Sequence, residues 1–360
     1  MKENIMELDT VALDDEKSAL LIIDQTKLPG KVEILQLTNQ DEIWQAIKLL
    51  QVRGAPAIGI AAAFGIYLAA KGLQGKSKEA FKTELESAVE YLNSARPTAV
   101  NLSWALNRMW RVAERSLELP DKELFQVIAE MKKEALAIQQ EDIITCQRIG
   151  EYGLSLLKPG MSLLTHCNAG KLATSKYGTA TAPMYLGHQR GYNFKIYCDE
   201  TRPLLQGARL TSFELSCAGM DVTVQCDNMA ASLMKAGLVD AVFTGCDRVA
   251  MNGDTANKIG TLPLAIVAAR YNIPFYICAP TSTIDLECST GADIKIEERD
   301  GKEIFGMWYK ERMVPDGVKL YNPAFDVTDA ELISAIITEF GIARPPYTSS
   351  LAEIMARTGR

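Results

Sequence analysis

Residues 163–178, LLTHCNAGKLATSKYG, contain the strand end around which the predicted fold is organised. The apolar run 161–164 predicts a short β-strand, and residues 173–186 have the composition of a helix. This order places the thiol of Cys167 at the carboxyl end of a strand and before a helix. Ligands bind at such strand ends in open α/β sheets, and a helix start lowers the pKa of a nearby thiol. Cys167 is therefore a candidate catalytic residue, although a free cysteine is most often a small buried apolar residue.

The same order of apolar run, polar loop and helix recurs through the C-terminal half of the chain. Short apolar runs without alternation predict strands buried on both faces of a parallel sheet: residues 161–164, 194–198, 222–224, 241–243 and 274–278. Segments of helical length lie between them: residues 207–219, 229–236 and 262–271. Each strand is followed by a polar loop, and these loops converge on one edge of the sheet. The pattern predicts a doubly wound, Rossmann-like α/β domain.

The N-terminal half predicts a smaller, mostly helical domain that carries a few strands. Two apolar runs, 19–25 and 32–37, predict a β-hairpin or adjacent strands, and Asn39 is placed to cap the helix that follows. Further helices are predicted over residues 41–52, 78–93, 102–119 and 122–157, and the uncharged stretch 54–70 has the composition of a closely packed helix. We therefore predict an N-terminal domain over residues 1–155, which includes a connecting helix, and a catalytic domain over residues 156–360.

Composition limits the class of partner. A formal net charge of -7 argues against a nucleic-acid surface but is compatible with a cationic cleft that binds an anionic metabolite. Eight cysteines without a C-x-x-C pair, and only two histidines, give little support for a zinc site. The acidic N-terminus has no apolar signal region, and the uncharged stretch 54–70 is rich in Ala and Gly, as in helices packed inside proteins. We expect a cytoplasmic protein with no metal and no membrane partner.

Asp247 follows the fourth apolar run and is the second candidate for chemistry. The predicted topology brings it to the same sheet edge as Cys167, where a thiol and a carboxyl group could divide proton transfer between them. The alternative is an aspartate that pairs with Arg248 or caps a turn. His166 points to the opposite face from Cys167 if strand geometry persists, so a Cys-His dyad is possible but not favoured.

Two arginines in the N-terminal half precede or follow predicted helices. Arg53-Gly54-Ala55-Pro56 lies just before a helix, where a glycine permits close approach and an arginine could help to bind an anion. The alternative is a plain turn between helices with a solvated arginine. Arg96 precedes a proline, which enforces an extended backbone, but such an arginine is usually a solvated loop residue.

Residues 252–260, NGDTANKIG, form a glycine-bounded loop that leads into a predicted helix, with Asn257 and Lys258 near the helix start. This arrangement resembles a phosphate cradle but lacks the G-x-x-x-x-G-K-[ST] spacing of a nucleotide P-loop. The first strand is not followed by G-x-G-x-x-G either. A sugar phosphate is therefore favoured over NAD or ATP.

Longer motifs resemble those of the methylthioribose-1-phosphate isomerase family of methionine salvage. They are LLIIDQTKLP, VRGAPAIG, ARPTAVNLSWA, LLTHCNAGKLAT followed by YGTA, DETRPLLQGARLT, QCDNMAA, GCDRVAMNGDTANKIGT, PFYICAPTSTID and NPAFDVT. Together they span about residues 18–342. The same fold family includes archaeal ribose-1,5-bisphosphate isomerases and regulatory subunits of an initiation-factor guanine-nucleotide exchange factor, which are not enzymes.

The resemblance implies roles for particular residues. Cys167 and Asp247 would be the catalytic pair, and the substrate, chiefly its phosphate, would be held by Arg53, Gly54, Ala55, Arg96, Gln206, Asn257 and Lys258. It also implies a homodimer and a reaction without metal or organic cofactor. The expected activity is aldose–ketose isomerisation of 5-methylthioribose 1-phosphate, with Asp247 kept protonated in a weakly polar pocket and Cys167 as a thiolate.

Three alternatives stay open at this point. Two lie within the same chemistry, namely an isomerase of ribose 1,5-bisphosphate and one of 5-deoxyribose 1-phosphate. A second phosphate needs another cationic patch, whereas a methylthio group needs an apolar pocket. The third is a non-catalytic regulatory subunit, which has no need for a thiol and an acid at converging strand ends.

Overall fold

The computed structural model describes residues 5–97 and 99–359. These residues form two compact units. The first comprises the described residues of Met1–Ile144 together with Lys171–Gly178, and the second comprises Thr145–Gly170 with the described residues of Thr179–Arg360. The boundary predicted between residues 155 and 156 lies further along the chain than the boundary between Ile144 and Thr145. Sequence pattern did not indicate that Lys171–Gly178 belongs with the first unit.

The first unit consists of a small antiparallel sheet and a group of helices. The elements are β1 (Val11–Asp14), β2 (Ala19–Ile23), β3 (Ile34–Leu37), α1 (Gln40–Lys48), α2 (Ala55–Gly72), α3 (Lys78–Asn93), α4 (Val100–Leu117) and α5 (Leu124–Leu154), whose last turns belong to the second unit. The predicted pairing of two apolar runs is confirmed, because Leu20 of β2 lies opposite Leu37 of β3. Asn39 caps α1 as predicted, since its side chain accepts from the Glu42 N–H.

Helix α2 is the core element of the first unit. By length and composition it could span a membrane, but 72% of its apolar window is buried inside the protein. It packs against α3 and α4, and its Ala and Gly residues permit close approach: a Cβ on Gly59 would come within 2.9 Å of the Asn101 carbonyl oxygen. The uncharged stretch 54–70 is therefore a core helix, as its composition predicts.

The second unit contains the larger sheet. Its elements in chain order are β4 (Ser162–His166), α6 (Ala182–Gln189), β5 (Lys195–Asp199), α7 (Ser212–Cys217), β6 (Asp221–Gln225), α8 (Ala230–Lys235), β7 (Ala241–Thr244), β8 (Arg248–Val249), β9 (Thr255–Lys258), α9 (Thr261–Arg270), β10 (Phe275–Cys278), α10 (Lys302–Phe305), β11 (Phe325–Thr328), β12 (Ala335–Thr338), β13 (Gly341–Ala343) and α11 (Tyr347–Ala356).

Seven strands form this sheet in the order β13-β12-β10-β7-β4-β5-β6. All neighbouring pairs are parallel except β12 and β13, which are antiparallel. The predicted doubly wound α/β domain is confirmed, including all five predicted strands. Strand β6 differs from the prediction of burial on both faces, because it lies at the edge and Val224 is 45% exposed. Apolar runs predict strands but do not show which one lies at an edge.

Two local predictions were wrong. The helix predicted over residues 173–186 begins only at Ala182, and a short 3₁₀ turn, Lys171–Ala173, follows the Cys167 loop. Asn257 and Lys258 lie on strand β9, which pairs with β8 and β11 in a small antiparallel sheet, and the helix begins after Gly260. In the second segment the flanking glycines suggested a loop leading to a helix, and pairing of β9 with β8 and β11 determined the outcome.

Candidate active site

Cys167 occupies the first position after β4 and has a strained backbone. Its φ is +64°, a left-handed conformation that costs an ordinary residue about 1–3 kcal/mol and is common at functional sites. Two threonines stabilise it. The Cys167 N–H donates to Thr201 Oγ1 at 2.8 Å, and Thr211 Oγ1 donates to the Cys167 carbonyl oxygen at 2.6 Å. The thiol is therefore presented from a fixed backbone position at the strand end.

The environment of the thiols separates Cys167 from the structural cysteines. Burial raises the pKa of Cys198 and Cys278, so both stay protonated core residues. Burial also raises the pKa of Cys246, with a further contribution from the negative charge of Asp247. Cys167 is only partly buried, so it keeps access to a substrate.

Asp247 lies beyond the end of β7, the strand that neighbours β4 in the sheet. In this pair His166 is in register with Thr244, so Cys167 follows by one residue and Asp247 by three. The Asp247 N–H donates to the Ala256 carbonyl oxygen at 2.9 Å, and the residue is exposed. The two candidates thus follow adjacent parallel strands at the same edge of the sheet.

Gly245 allows the Cys167 loop to approach the Asp247 loop. A Cβ at this position would lie 2.5 Å from Cβ of Ala169, closer than any side chain tolerates. The loop that follows Cys167 therefore packs directly on the segment that leads to Asp247. A larger residue at 245 would separate the two loops.

Gln206, Asn257 and Lys258 also belong to the second unit. Gln206 is 6% exposed, and no donor among the described residues reaches its Oε1 atom. Asn257 Nδ2 donates to Thr261 Oγ1 at 3.1 Å. Lys258 Nζ donates to a backbone carbonyl at 2.9 Å and lies 4.4 Å from the centre of the Phe325 ring. Buried amide oxygens normally have a hydrogen-bond partner. Among these three residues, Gln206 is therefore the one with a side-chain oxygen available to accept a hydrogen bond from a ligand.

The other four predicted substrate-binding residues belong to the first unit. Arg53 and Gly54 directly precede α2, which begins at Ala55, and Arg96 follows α3. Gly54 has a φ of +91°, and a Cβ there would lie 2.5 Å from Cα of Ala173. Only glycine fits this position, because it lies against the segment that follows the Cys167 loop in the chain.

A hydrogen-bonded network that sequence reasoning did not assign to the site lies next to Cys167. His166 is fully buried, with Nδ1 3.0 Å from Asp199 Oδ2 and Nε2 2.9 Å from the Ile259 carbonyl oxygen. Both ring nitrogens therefore bond partners other than the Cys167 thiol. This agrees with the sequence-based expectation that a Cys-His dyad is not favoured. The sequence showed a dense polar loop over residues 199–202 but not that His166 contacts it.

Three side chains of this network have the spacing that a metal ion would require. The ligand atoms of His166, Asp199 and Asp227 lie within 4.8 Å of one another. However, the atoms that would bind a metal already form hydrogen bonds within the protein. Asp227 accepts from the Thr201 and Arg202 N–H groups at 2.7 Å, and both nitrogens of His166 are engaged. The donor set therefore fits a structural network better than a metal centre.

The fold is that of a doubly wound α/β protein with polar loops gathered at the carboxyl ends of its parallel strands. The chain belongs to the Initiation factor 2 subunit family, whose sequence pattern it matches over residues 51–345. It is 62% identical over 351 residues to a methylthioribose-1-phosphate isomerase of Symbiobacterium thermophilum, with 98% of this chain and 97% of the relative covered. The identity to a 5-deoxyribose 1-phosphate isomerase of Petrotoga mobilis is 57% over 344 residues, covering 96% and 98%.

A solved structure gives the same picture. The crystal structure of 5-methylthioribose 1-phosphate isomerase from Pyrococcus horikoshii OT3 has a TM-score of 0.91 and 41% identity, and covers 99% of this chain and 98% of that one. The fold class expected from the sequence and the expected family resemblance are thus both confirmed.

Proposed function

We propose that this protein is an aldose–ketose isomerase that converts 5-methylthioribose 1-phosphate into 5-methylthioribulose 1-phosphate in methionine salvage. The observation that carries the proposal is the position of Cys167, fixed in a left-handed conformation at the end of β4, beside the strand that leads to Asp247. A relative named for this activity matches nearly the whole chain at 62% identity. A regulatory subunit has no use for a strained thiol at this strand end.

The phosphate on the anomeric oxygen sets the first chemical problem. It locks the sugar as a ring, so the enzyme must break the bond between C1 and the ring oxygen before it can isomerise the chain. In the proposed mechanism Asp247, in its protonated form, donates a proton to the ring oxygen as that bond breaks, and positive charge develops at C1. The dianionic phosphate and the loss of water around a bound sugar both favour the protonated carboxyl group.

Hydrogen then moves from C2 to C1. In a proton route, the Cys167 thiolate removes the proton from C2 to give an enol, C1 is protonated, and the 2-hydroxyl loses its proton as the ketone forms. In a hydride route, hydrogen passes from C2 to C1 with its electron pair while the thiolate takes the 2-hydroxyl proton. Both routes balance, and reaction in deuterated water distinguishes them, because only the proton route places deuterium at C1.

Gln206 is the proposed ligand for a substrate oxygen, since its buried Oε1 atom is unused by the described residues. Asn257 and Lys258 would bind the phosphate from strand β9, and binding would require Lys258 Nζ to exchange the Ala324 carbonyl for a phosphate oxygen. Arg53, Gly54, Ala55 and Arg96 keep the substrate-binding role that the family resemblance implies. Cationic and backbone N–H donors suit a phosphate dianion.

A second candidate substrate is 5-deoxyribose 1-phosphate, which the Petrotoga mobilis relative favours at 57% identity. It differs from the first only in lacking the methylthio group, so the same acid–base chemistry applies to both. An apolar pocket discriminates such a group by about 1–3 kcal/mol, which permits one enzyme to accept both sugars. We also expect a cytoplasmic homodimer that turns over without added metal or organic cofactor.

The experiment offers the purified protein three substrates separately, namely 5-methylthioribose 1-phosphate, 5-deoxyribose 1-phosphate and ribose 1,5-bisphosphate. Ketose formation is followed by carbon-13 and phosphorus-31 NMR after dialysis against a chelator. We expect turnover of the first, slower turnover of the second and none of the third. Absence of ketose from all three would refute the isomerase proposal and favour a non-catalytic subunit.

A further inference from the structure

The buried His166 imidazole connects three elements of the candidate site. It is the last residue of β4 and directly precedes Cys167. Its Nδ1 atom lies 3.0 Å from Asp199, which ends β5 and precedes the loop that carries Gln206. Its Nε2 atom lies 2.9 Å from the carbonyl oxygen of Ile259, the residue after Lys258. Gly260 covers the ring, since a Cβ there would come within 2.7 Å of Cε1.

The partners of the two ring nitrogens fix the number of protons. A carbonyl oxygen only accepts, so Nε2 must carry a hydrogen to bond Ile259. Nδ1 lies 3.0 Å from a carboxylate oxygen of Asp199. Because an unprotonated Nδ1 and a carboxylate oxygen both only accept, a proton must lie between these two atoms. The pair therefore holds one proton more than a neutral imidazole beside an ionised carboxylate.

The charges around the ring favour placing that proton on the imidazole. Asp199 of β5, Asp227 after β6 and Asp326 of β11 all face His166 with negative charge. Burial disfavours the charged ring, but the hydrogen bond to Asp199 and the charges of Asp199 and Asp227 outweigh it and raise the pKa of His166. Burial likewise raises the pKa of Asp199, so both partners favour retention of the proton.

Two of these carboxylates, those of Asp227 and Asp326, also anchor backbone near the site. Asp227 accepts from the N–H groups of Thr201 and Arg202, both at 2.7 Å. Asp326 accepts from the N–H groups of Gly260 and Leu262, at 2.8 and 3.1 Å. One cation thus balances the anions that shape the loop before Gln206 and the turn after Lys258.

We propose that His166 is a positioning residue, an imidazolium at neutral pH that fixes the strand end bearing Cys167 to the loop bearing Gln206 and to the turn that follows Lys258. The role of His166 in isomerisation rests on the proposed function. The charge of His166 and its effect on the Cys167 thiol do not depend on that function. Without this cation Asp199, Asp227 and Asp326 lose the positive charge that faces them at the residue before Cys167. Negative charge near a thiol disfavours the thiolate, so loss of the imidazolium lowers the fraction of Cys167 that is ionised and also loosens its placement.

The first test uses the small number of histidines in the chain, which are His166 and His188. In a His188→Gln variant labelled with nitrogen-15 histidine, every imidazole signal belongs to His166. We expect both ring nitrogens to stay protonated as the pH rises past the ordinary histidine pKa of about 6.5. Titration near that ordinary value, or an unprotonated Nδ1 at neutral pH, would overturn the proposal.

The second test follows alkylation of Cys167 by iodoacetamide against pH, read by peptide mass spectrometry with exposed Cys217 as internal reference. His166→Asn keeps a donor near Asp199, and His166→Gln keeps one near Ile259, but both lose the charge. We expect both variants to shift the Cys167 profile to higher pH, with Cys217 unchanged, and to lower kcat about tenfold or more at similar KM.

An unchanged Cys167 profile in both folded variants contradicts the proposal. If neither variant folds, the nitrogen-15 titration still decides it, because that measurement keeps His166. If the wild-type chain turns over no sugar phosphate, the isomerase proposal fails, while the titration and the alkylation profile still decide the charge and positioning of His166.

Discussion

The backbone N–H of Cys167 donates to the hydroxyl of Thr201 over 2.8 Å, and the same hydroxyl donates to the Asp199 carbonyl oxygen over 3.1 Å. One side chain thereby joins the ends of β4 and β5 and maintains the left-handed backbone of Cys167, the candidate base. Thr201→Val keeps the shape but removes both bonds. We expect it to lower kcat about tenfold and the free energy of unfolding by about 1–3 kcal/mol, as for an unsatisfied buried N–H.

The control for this prediction is Thr201→Ser, which keeps the hydroxyl and should retain most of the wild-type kcat. Steady-state kinetics and urea unfolding measure both effects. A Thr201→Val enzyme with wild-type kcat would show that the threonine does not position Cys167.

The candidate catalytic pair gives the second prediction. Cys167→Ser replaces the thiolate by a hydroxyl that stays protonated, and Asp247→Asn cannot donate an acidic proton. We expect each to lower kcat by about 10³ or more while substrate affinity measured by calorimetry changes little. Cys217→Ser, at an exposed position outside the site, is the matched control. Near-wild-type turnover in either site variant would remove that residue from the mechanism.

Gln206 tests substrate binding rather than chemistry. Its buried Oε1 atom has no partner among the described residues, so Gln206→Leu loses a ligand contact without breaking a bond of that oxygen. We expect KM to rise about tenfold, equivalent to about 1.4 kcal/mol, with kcat nearly unchanged. Gln189→Leu, exposed at the end of α6, should leave both constants as they are. A fall in kcat without a change in KM would instead assign Gln206 to the chemical step.

Trp308 supports the loop that leads to Gln206. Its Nε1–H donates to the Pro203 carbonyl oxygen at 2.7 Å, and the Arg209 guanidinium lies 4.7 Å from the ring centre. Trp308→Ala should raise KM severalfold and increase amide hydrogen exchange over residues 201–206, because both contacts are lost. Trp308→Phe retains the cation–π contact and should give an intermediate effect. Unchanged exchange in the alanine variant would show that the loop is rigid without this support.

Periodicity and strand ends predicted the second unit well. The five apolar runs form parallel strands, and Cys167 and Asp247 follow adjacent ones, because chain order and the strand–helix alternation restrict the topology. The local pattern could not predict β9, where Lys258 pairs with Phe325 and Asn257 with Asp326, far along the chain. Nor could it show His166 bonded to Asp199, since period-2 geometry indicates which face a side chain occupies but not its partner. Gln206 came from family resemblance alone, and its unsatisfied oxygen is visible only in the folded chain.

The buried His166–Asp199 pair sets the sign of one pH dependence. The pKa values of His166 and Asp199 are both raised in the folded protein. At a pH between the unfolded and the folded pKa of either group, the folded state therefore binds more protons than the unfolded state. The contribution of His166 to stability is then complete below the unfolded pKa of about 6.5 and is lost as the pH rises through the folded pKa. We expect the free energy of unfolding to fall above about pH 6.5, measured by urea unfolding at constant ionic strength. In His166→Asn this part of the decrease should disappear, whereas His188→Gln should retain it. A decrease of equal size in the His166→Asn protein would assign the pH dependence to other groups, because that variant has no imidazole to deprotonate at this position.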